Sequence, residues 1–190
     1  MISAVYDACV LYSAPLRDLL LRLAFAKLVI PFWSEEIRNE WVYRLLQKRP
    51  DLKRENLERT CREMDFHFPN GLVHGYEFII PTLQLPDPKD RHVLAVAIHV
   101  KAEYIVTFNL KDFPRPALLS HNVEAISPDD FVLRVIDYDT NTFIKTIAKH
   151  RAFLIHPPKT VDEYLATLEK QGLSQTVAFL RKHESDIYRY

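Results

Sequence analysis

No run in this chain approaches the roughly 18 uninterrupted apolar residues that a membrane-crossing helix needs, which excludes an ordinary helical span. Cysteine is almost absent. Cys9 lies in an apolar run, Cys61 in a helix-like segment, and no CxxC spacing links them, so neither a disulfide scaffold nor a cysteine zinc site is expected. A surplus of charge is missing too: Lys plus Arg and Asp plus Glu both number 25, and bulk electrostatics advertise neither a nucleic-acid nor a membrane partner. The histidines, His92 and His99 among them, lack zinc-ligand spacing and read as surface or helix-packing residues. There is no internal repeat and no low-complexity tract. The opening "MISAVYDACVLYSAP" has no basic leader and sets Asp7 where the apolar core of a signal peptide would run. The expectation is a cytoplasmic protein without a membrane partner.

What is present is a chain of 190 residues, 48% hydrophobic and 26% charged, enough for one domain with a real core and a small appendage. Ile2 to Tyr6 reads as a strand ending at Asp7. The leucine-rich stretch after Pro15 reads as a helix, and "LVIPFW" as a second strand. Ser34 is placed to cap a helix carrying Ile37, Trp41 and Leu45 at spacings of four, closed by Pro50. Asp51 is expected to cap another, through about Asp65, with a turn at Pro69 to Gly71. A short helical piece around Tyr76 to Ile80 precedes a helix from about Pro88 to Ala102. "YIVTF" and "VEAIS" are strand-like, and "PDDFVLRVI" starts a helix. Alternating strand and helix patterns predict an α/β fold around a parallel sheet with right-handed crossovers. Beyond about Asp139 strand signals vanish. The chain there reads as helix after helix, with a break at the "HPP" of 156–158, a Thr160/Glu163 capping box and a last helix from Ser174.

Acids stand where an open parallel sheet puts its ligands, beyond the carboxyl ends of strands or at the start of the next helix. Asp7 follows the first strand, Asp112 the "YIVT" strand, and Asp90 opens the helix feeding that strand; Glu40 lies on the helix after the second strand. Carboxylates gathered in one cleft repel each other unless a divalent cation neutralises them. Oxygen-only ligands suit magnesium or manganese. Each acid also has an ordinary explanation. Asp7 could cap the turn after its strand, although its apolar neighbours demand a partner for a buried charge. Glu40 falls outside the apolar arc of its helix, as a solvated acid would, and like-charge repulsion from Glu36 at a spacing of four costs a few tenths of a kcal/mol, about 0.2 to 0.5. Asp87 is explained by capping, with Pro88 in the first helical position. Asp90, at the third, would gain about 0.3 to 1 kcal/mol from the helix dipole alone. Asp112 and Asn109 could simply form a turn.

Taken in order over about the first 125 residues, "VYDACVLYS", "SEEIRNEW", "PDPKDRHVLAVAI" and "VTFNLKDF" resemble the PIN-domain ribonucleases, with the VapC-type toxins of toxin–antitoxin pairs as the nearest look. The resemblance implies a three-layer α/β fold, with a PIN-like nuclease domain over 1–135 and a helical C-terminal extension over 136–190. It implies an acidic cleft holding Mg2+ or Mn2+ through Asp7, Glu40, Asp90 and Asp112, with Thr107 and Asn109 as supporting polar groups. Asp87 and Glu36 remain open as additional ligands. The implied activity is hydrolysis of RNA phosphodiester bonds, and the implied partners are an RNA substrate, a cognate antitoxin protein and a second copy of the chain in a homodimer. Setting the four acids aside leaves an excess of four basic residues. The segment from Arg44 to Arg62 concentrates bases that could meet phosphates, or could pair with its own glutamates. A haloacid-dehalogenase-type phosphatase would need a second aspartate two positions after Asp7, where this chain has Cys9. A non-catalytic RNA-binding or scaffold protein of the same fold, and a housekeeping RNA-processing nuclease, are the competing readings.

Overall fold

The computed structural model describes residues 1–155 and 157–188. Its elements, in chain order, are β1 (Ile2–Tyr6), α1 (Ala8–Leu11), α2 (Ala14–Phe25), β2 (Val29–Ser34), α3 (Glu35–Lys48), α4 (Arg54–His67), β3 (Leu72–Val73), α5 (Arg91–Val100), β4 (Tyr104–Val106), α6 (Arg115–Leu118) and β5 (Glu124–Ile126). The helices α7 (Pro128–Tyr138), α8 (Thr140–Phe153), α9 (Val161–Glu169), α10 (Ser174–Arg181) and α11 (Glu184–Tyr188) follow. The strands form one five-stranded parallel sheet in the order β3-β2-β1-β4-β5. This is the α/β fold read from the sequence. Val5 pairs with Ile105 and Ile105 with Ala125, so the ends of β1 and β4 finish side by side.

The chain divides into two compact units, one of Ser3–Tyr12 and Ile30–Ile126, the other of Met1–Ile2, Ser13–Val29 and Ser127–Tyr190. The first carries the body of the sheet. Its core includes Val5, Tyr6, Trp33, Trp41 and Ile105, all fully buried. Ser34 caps α3 by accepting the Ile37 N–H at 3.2 Å. Two expectations change here. Asp51 does not cap α4, because Arg49 holds its carboxylate in a two-pronged contact at 2.8 and 2.6 Å, and Lys53 takes the cap position instead. The expected turn at Pro69 to Gly71 leads directly into a strand too short to carry a pattern, β3, paired with β2. A Cβ on Gly71 would come within 2.9 Å of the Trp33 ring and 3.1 Å of two backbone oxygens, so only glycine lets the chain pass this close. The expected single helix from Pro88 begins as a 3-10 turn, Pro88–Asp90, before α5 proper.

The second unit is helical. Within it α2 packs against α8 and α9, and α7 against α8 and α10. The capping box at α9 is complete: Thr160 accepts the Glu163 N–H at 3.2 Å and Glu163 accepts the Thr160 N–H at 2.9 Å. Asp129 is 6% exposed, yet satisfied by the N–H groups of Gln175 and Thr176 at 2.8 and 2.9 Å and by the Thr176 hydroxyl at 2.7 Å. The carboxylate thereby supplies acceptors to the start of α10. His150 is buried between Asp18, 2.8 Å from its Nε2, and the Tyr164 hydroxyl, 3.0 Å from its Nδ1. Burial would raise the Asp18 pKa, but the His150 hydrogen bond and the charges of His150 and Arg22 outweigh it and hold this acid below the usual carboxylate range. The helix from Ser174 is not the last, since α11 follows it. Of the expected "HPP" break, His156 lies outside the described residues; Ile155 and Pro158 form an isolated antiparallel bridge.

Candidate functional site

Where β1 ends beside β4, the backbone N–H of Asp7 donates to the Val106 carbonyl at 3.1 Å, carrying the ladder one residue past the strand. Asp7 then stands at the cap position of α1 in extended conformation, but its side chain caps nothing. The carboxylate turns instead toward the chain leaving β4. Its Oδ2 accepts the Thr107 hydroxyl at 2.6 Å and the Cys9 thiol at 3.0 Å. Thr107 is fully buried and its Oγ1 also accepts the Asn109 N–H at 3.0 Å. The Cys9 sulfur accepts the Phe108 N–H at 3.3 Å. Burial first, and the Asp7 charge second, push this thiol up to about 12, so Cys9 is a neutral donor rather than a nucleophile. At 4% exposure Asp7 makes no ion pair among the described residues.

Asp90 closes the 3-10 turn before α5, and it too makes no side-chain cap bond. Asp87 does: its Oδ1 accepts the Lys89 N–H at 2.9 Å. The Asp90 carboxyl is pushed up to about 6, first by burial and then by the charges of Asp7, Asp87, Asp112 and Glu40. The other three acids of the sequence reading therefore all act on Asp90. Asp112 ends another 3-10 turn, Leu110–Asp112, held by its N–H on the Asn109 carbonyl at 2.9 Å.

Glu40 reaches the same field from α3. Wheel phase suggested a solvated acid; its side chain is 29% exposed and one oxygen lies 3.0 Å from His92 Nε2, while Arg44 approaches the other at 3.6 Å. Glu36 lies 3.7 Å from His92 Nδ1 and is the more exposed of the two. His92 is 3% exposed. Burial would lower its pKa, but the Glu40 hydrogen bond and the charges of Glu36, Glu40 and Asp7 raise it. Donor atoms of Glu36, Glu40 and His92 fall within 4.8 Å of one another, close enough for a shared metal ion. His92 is the residue that sequence reasoning passed over, because its partners lie 52 and 56 positions away. One signal was available, a polar ring directly before the apolar run "VLAVAI" and two residues after Asp90.

The arrangement is a carboxylate cluster with oxygen donors from three strand-end or helix-start positions and one helix. No lysine or arginine lies within ion-pair distance of Asp7, Asp90 or Asp112 among the described residues. Oxygen donors of this kind suit a divalent cation. Of the seven bases from Arg44 to Arg62 three pair with acids, Arg44 with Glu40, Arg49 with Asp51 and Arg54 with Glu58.

Comparison with known proteins gives two family matches. The PIN domain model matches residues 3–111, ending one residue short of Asp112, and the VapC50 C-terminal domain model matches residues 128–182. A curated relative, "Putative ribonuclease VapC50" of Mycobacterium tuberculosis (strain ATCC 25618 / H37Rv), is 41% identical over 108 residues. That alignment spans 54% of this chain and 63% of the relative's length. No solved structure matches. No helix among the described residues is long and apolar enough to cross a membrane.

Proposed function

The chain belongs to the PIN domain family, and from that premise we propose that it is a metal-dependent ribonuclease, the toxin of a type II toxin–antitoxin pair. The observation that carries the reading is the Asp90 carboxyl, raised by burial and by three other acids of the same cluster, while among the described residues no lysine or arginine lies within ion-pair distance of Asp7, Asp90 or Asp112. In this reading Asp7, Glu40, Asp90 and Asp112 hold Mg2+ or Mn2+. A bound divalent cation would supply Lewis-acid activation of water and offset the charge that develops on the phosphate.

The chain's own groups have distinct tasks. Thr107 fixes the Asp7 carboxylate through its 2.6 Å hydrogen bond and leaves the second oxygen free for a ligand. The Asn109 side-chain amide makes no cap bond, and it is available to orient water or the scissile phosphate. His92 holds Glu40 in the cluster. Asp87 stays a helix-start residue. The name of the relative supports the RNA substrate, and the match over residues 128–182 supports a toxin with this particular helical extension. A cognate antitoxin and a homodimer complete the proposal, and the cytoplasm is the compartment that fits it.

The test is cleavage of a broad RNA panel with Mg2+ or Mn2+, alongside calorimetric metal titration. Wild type is expected to cut and to bind metal, with both lost in folded Asp7→Asn and Asp90→Asn variants. Wild type that neither cleaves nor binds either metal would leave a non-catalytic scaffold of the same fold.

A further inference from the structure

The helical unit contains a cleft of about 330 Å3 between the end of α2 and the second half of α8, a volume in the range of small-ligand sites. Arg22, Lys145 and Lys149 line it, together with Phe25 and Phe153, and no carboxylate does. The two phenylalanine rings are 49% and 64% exposed. The Arg22 guanidinium lies 5.0 Å from the centre of the Phe153 ring and is partly matched by Asp18 at 3.5 Å. Neither Lys145 nor Lys149 makes an ion pair among the described residues; Asp139 exerts only a longer-range attraction on Lys145.

The helix dipole explains a cation in the last turn of a helix. It does not explain Lys145, two turns before the end of α8, nor the exposure of two phenylalanine side chains in one cleft. Lys145 and Lys149 are one turn apart, about 6 Å along the axis, and so present two cations in line on one side of the cleft. Unmatched cations interleaved with exposed aromatic faces are what a single-stranded nucleic acid requires: charge for its phosphates and a flat apolar surface for its bases. We propose that this cleft binds single-stranded RNA, the phosphates on Lys145, Lys149 and Arg22 and a base stacked on Phe153 or Phe25. The helical extension is then a second contact for the substrate, apart from the carboxylate cluster. This rests on the ribonuclease reading for the choice of RNA over an acidic peptide.

The experiment separates the two claims. Binding of a labelled 12-nucleotide single strand is measured in EDTA, where no cleavage is needed, and cleavage of a dinucleotide, which offers no run of phosphates to the cleft, is measured with Mg2+. Lys145→Glu/Lys149→Glu is expected to weaken binding of the single strand at least tenfold and to reduce the slope of log affinity against log salt by about 1.4, that is about 0.7 for each lost phosphate contact. Phe153→Ala should weaken it about fivefold, the effect of one lost stack. Both variants should cut the dinucleotide at the wild-type rate. Wild-type affinity in the double variant overturns the cleft while leaving the nuclease standing. So does a double variant that loses only the capture of an acidic peptide. RNA binding that depends on the lysines in a protein that cuts nothing would instead sink the nuclease and keep the cleft.

Discussion

Asp7 and Asp129 are the same residue type at nearly the same burial, 4% and 6% exposed, and their surroundings are opposite. Asp129 meets three donors, two of them backbone N–H groups at the start of α10. Asp7 has one hydroxyl and one weak thiol donor, and its charge acts on the Asp90 carboxyl beside it. A carboxylate that serves folding is given donors enough to offset its lost hydration. One with fewer donors, beside other acids, is the kind of group that the proposed metal site would use.

That contrast is open to attack on both sides. The largest effect is expected at Asp7→Asn, a loss of metal-dependent cleavage on the order of 10³-fold with unfolding stability kept; rate and urea midpoint measured on one preparation decide it. Asp129→Ala should do the reverse. It removes acceptors from three donors and should cost about 3 kcal/mol in urea unfolding without touching dinucleotide cleavage. His92→Ala frees Glu40 without removing it, and metal affinity by calorimetry should fall about tenfold. Asp87→Ala, which loses a cap and no ligand, should cost about 1 kcal/mol and leave the cleavage rate within about twofold.

A further effect is one of pH. The Asp90 carboxyl titrates near 6 in the folded protein against an ordinary 3.8. Between those values the folded state holds a proton that the unfolded state has released. The stability this group contributes is therefore complete below about pH 4 and is lost as pH rises through about 6. In EDTA the stability of wild type relative to Asp90→Asn should fall over that window, and excess Mg2+ should restore it. A flat difference between the two proteins would show that Asp90 is not crowded by the other acids.

Sequence alone reached the α/β class, the order of the acids and several helix starts, because those depend on neighbours within one turn. Ser34, Asp87 and the Thr160/Glu163 pair cap where spacing placed them. The local reading failed where another neighbour competed, as Arg49 drew off Asp51, and where the partner lay far along the chain, as β3, two residues long, exists because β2 offers it a partner. At the cluster, order and resemblance singled out four acids, while turn capping for Asp7 and the helix dipole for Asp90 stood as local explanations; neither side chain makes a cap bond.

By itself the sequence determined the residue types, the strand and helix periodicities and the positions of the acids at strand ends, since these are written within a few residues of one another. Tertiary structure alone decided where the Asp7 carboxylate turns, that His92 meets Glu40, and that α2 joins the C-terminal helices in one compact unit. Each of these depends on groups tens of positions apart, and their energies come from burial and from charges brought near only when the chain has closed.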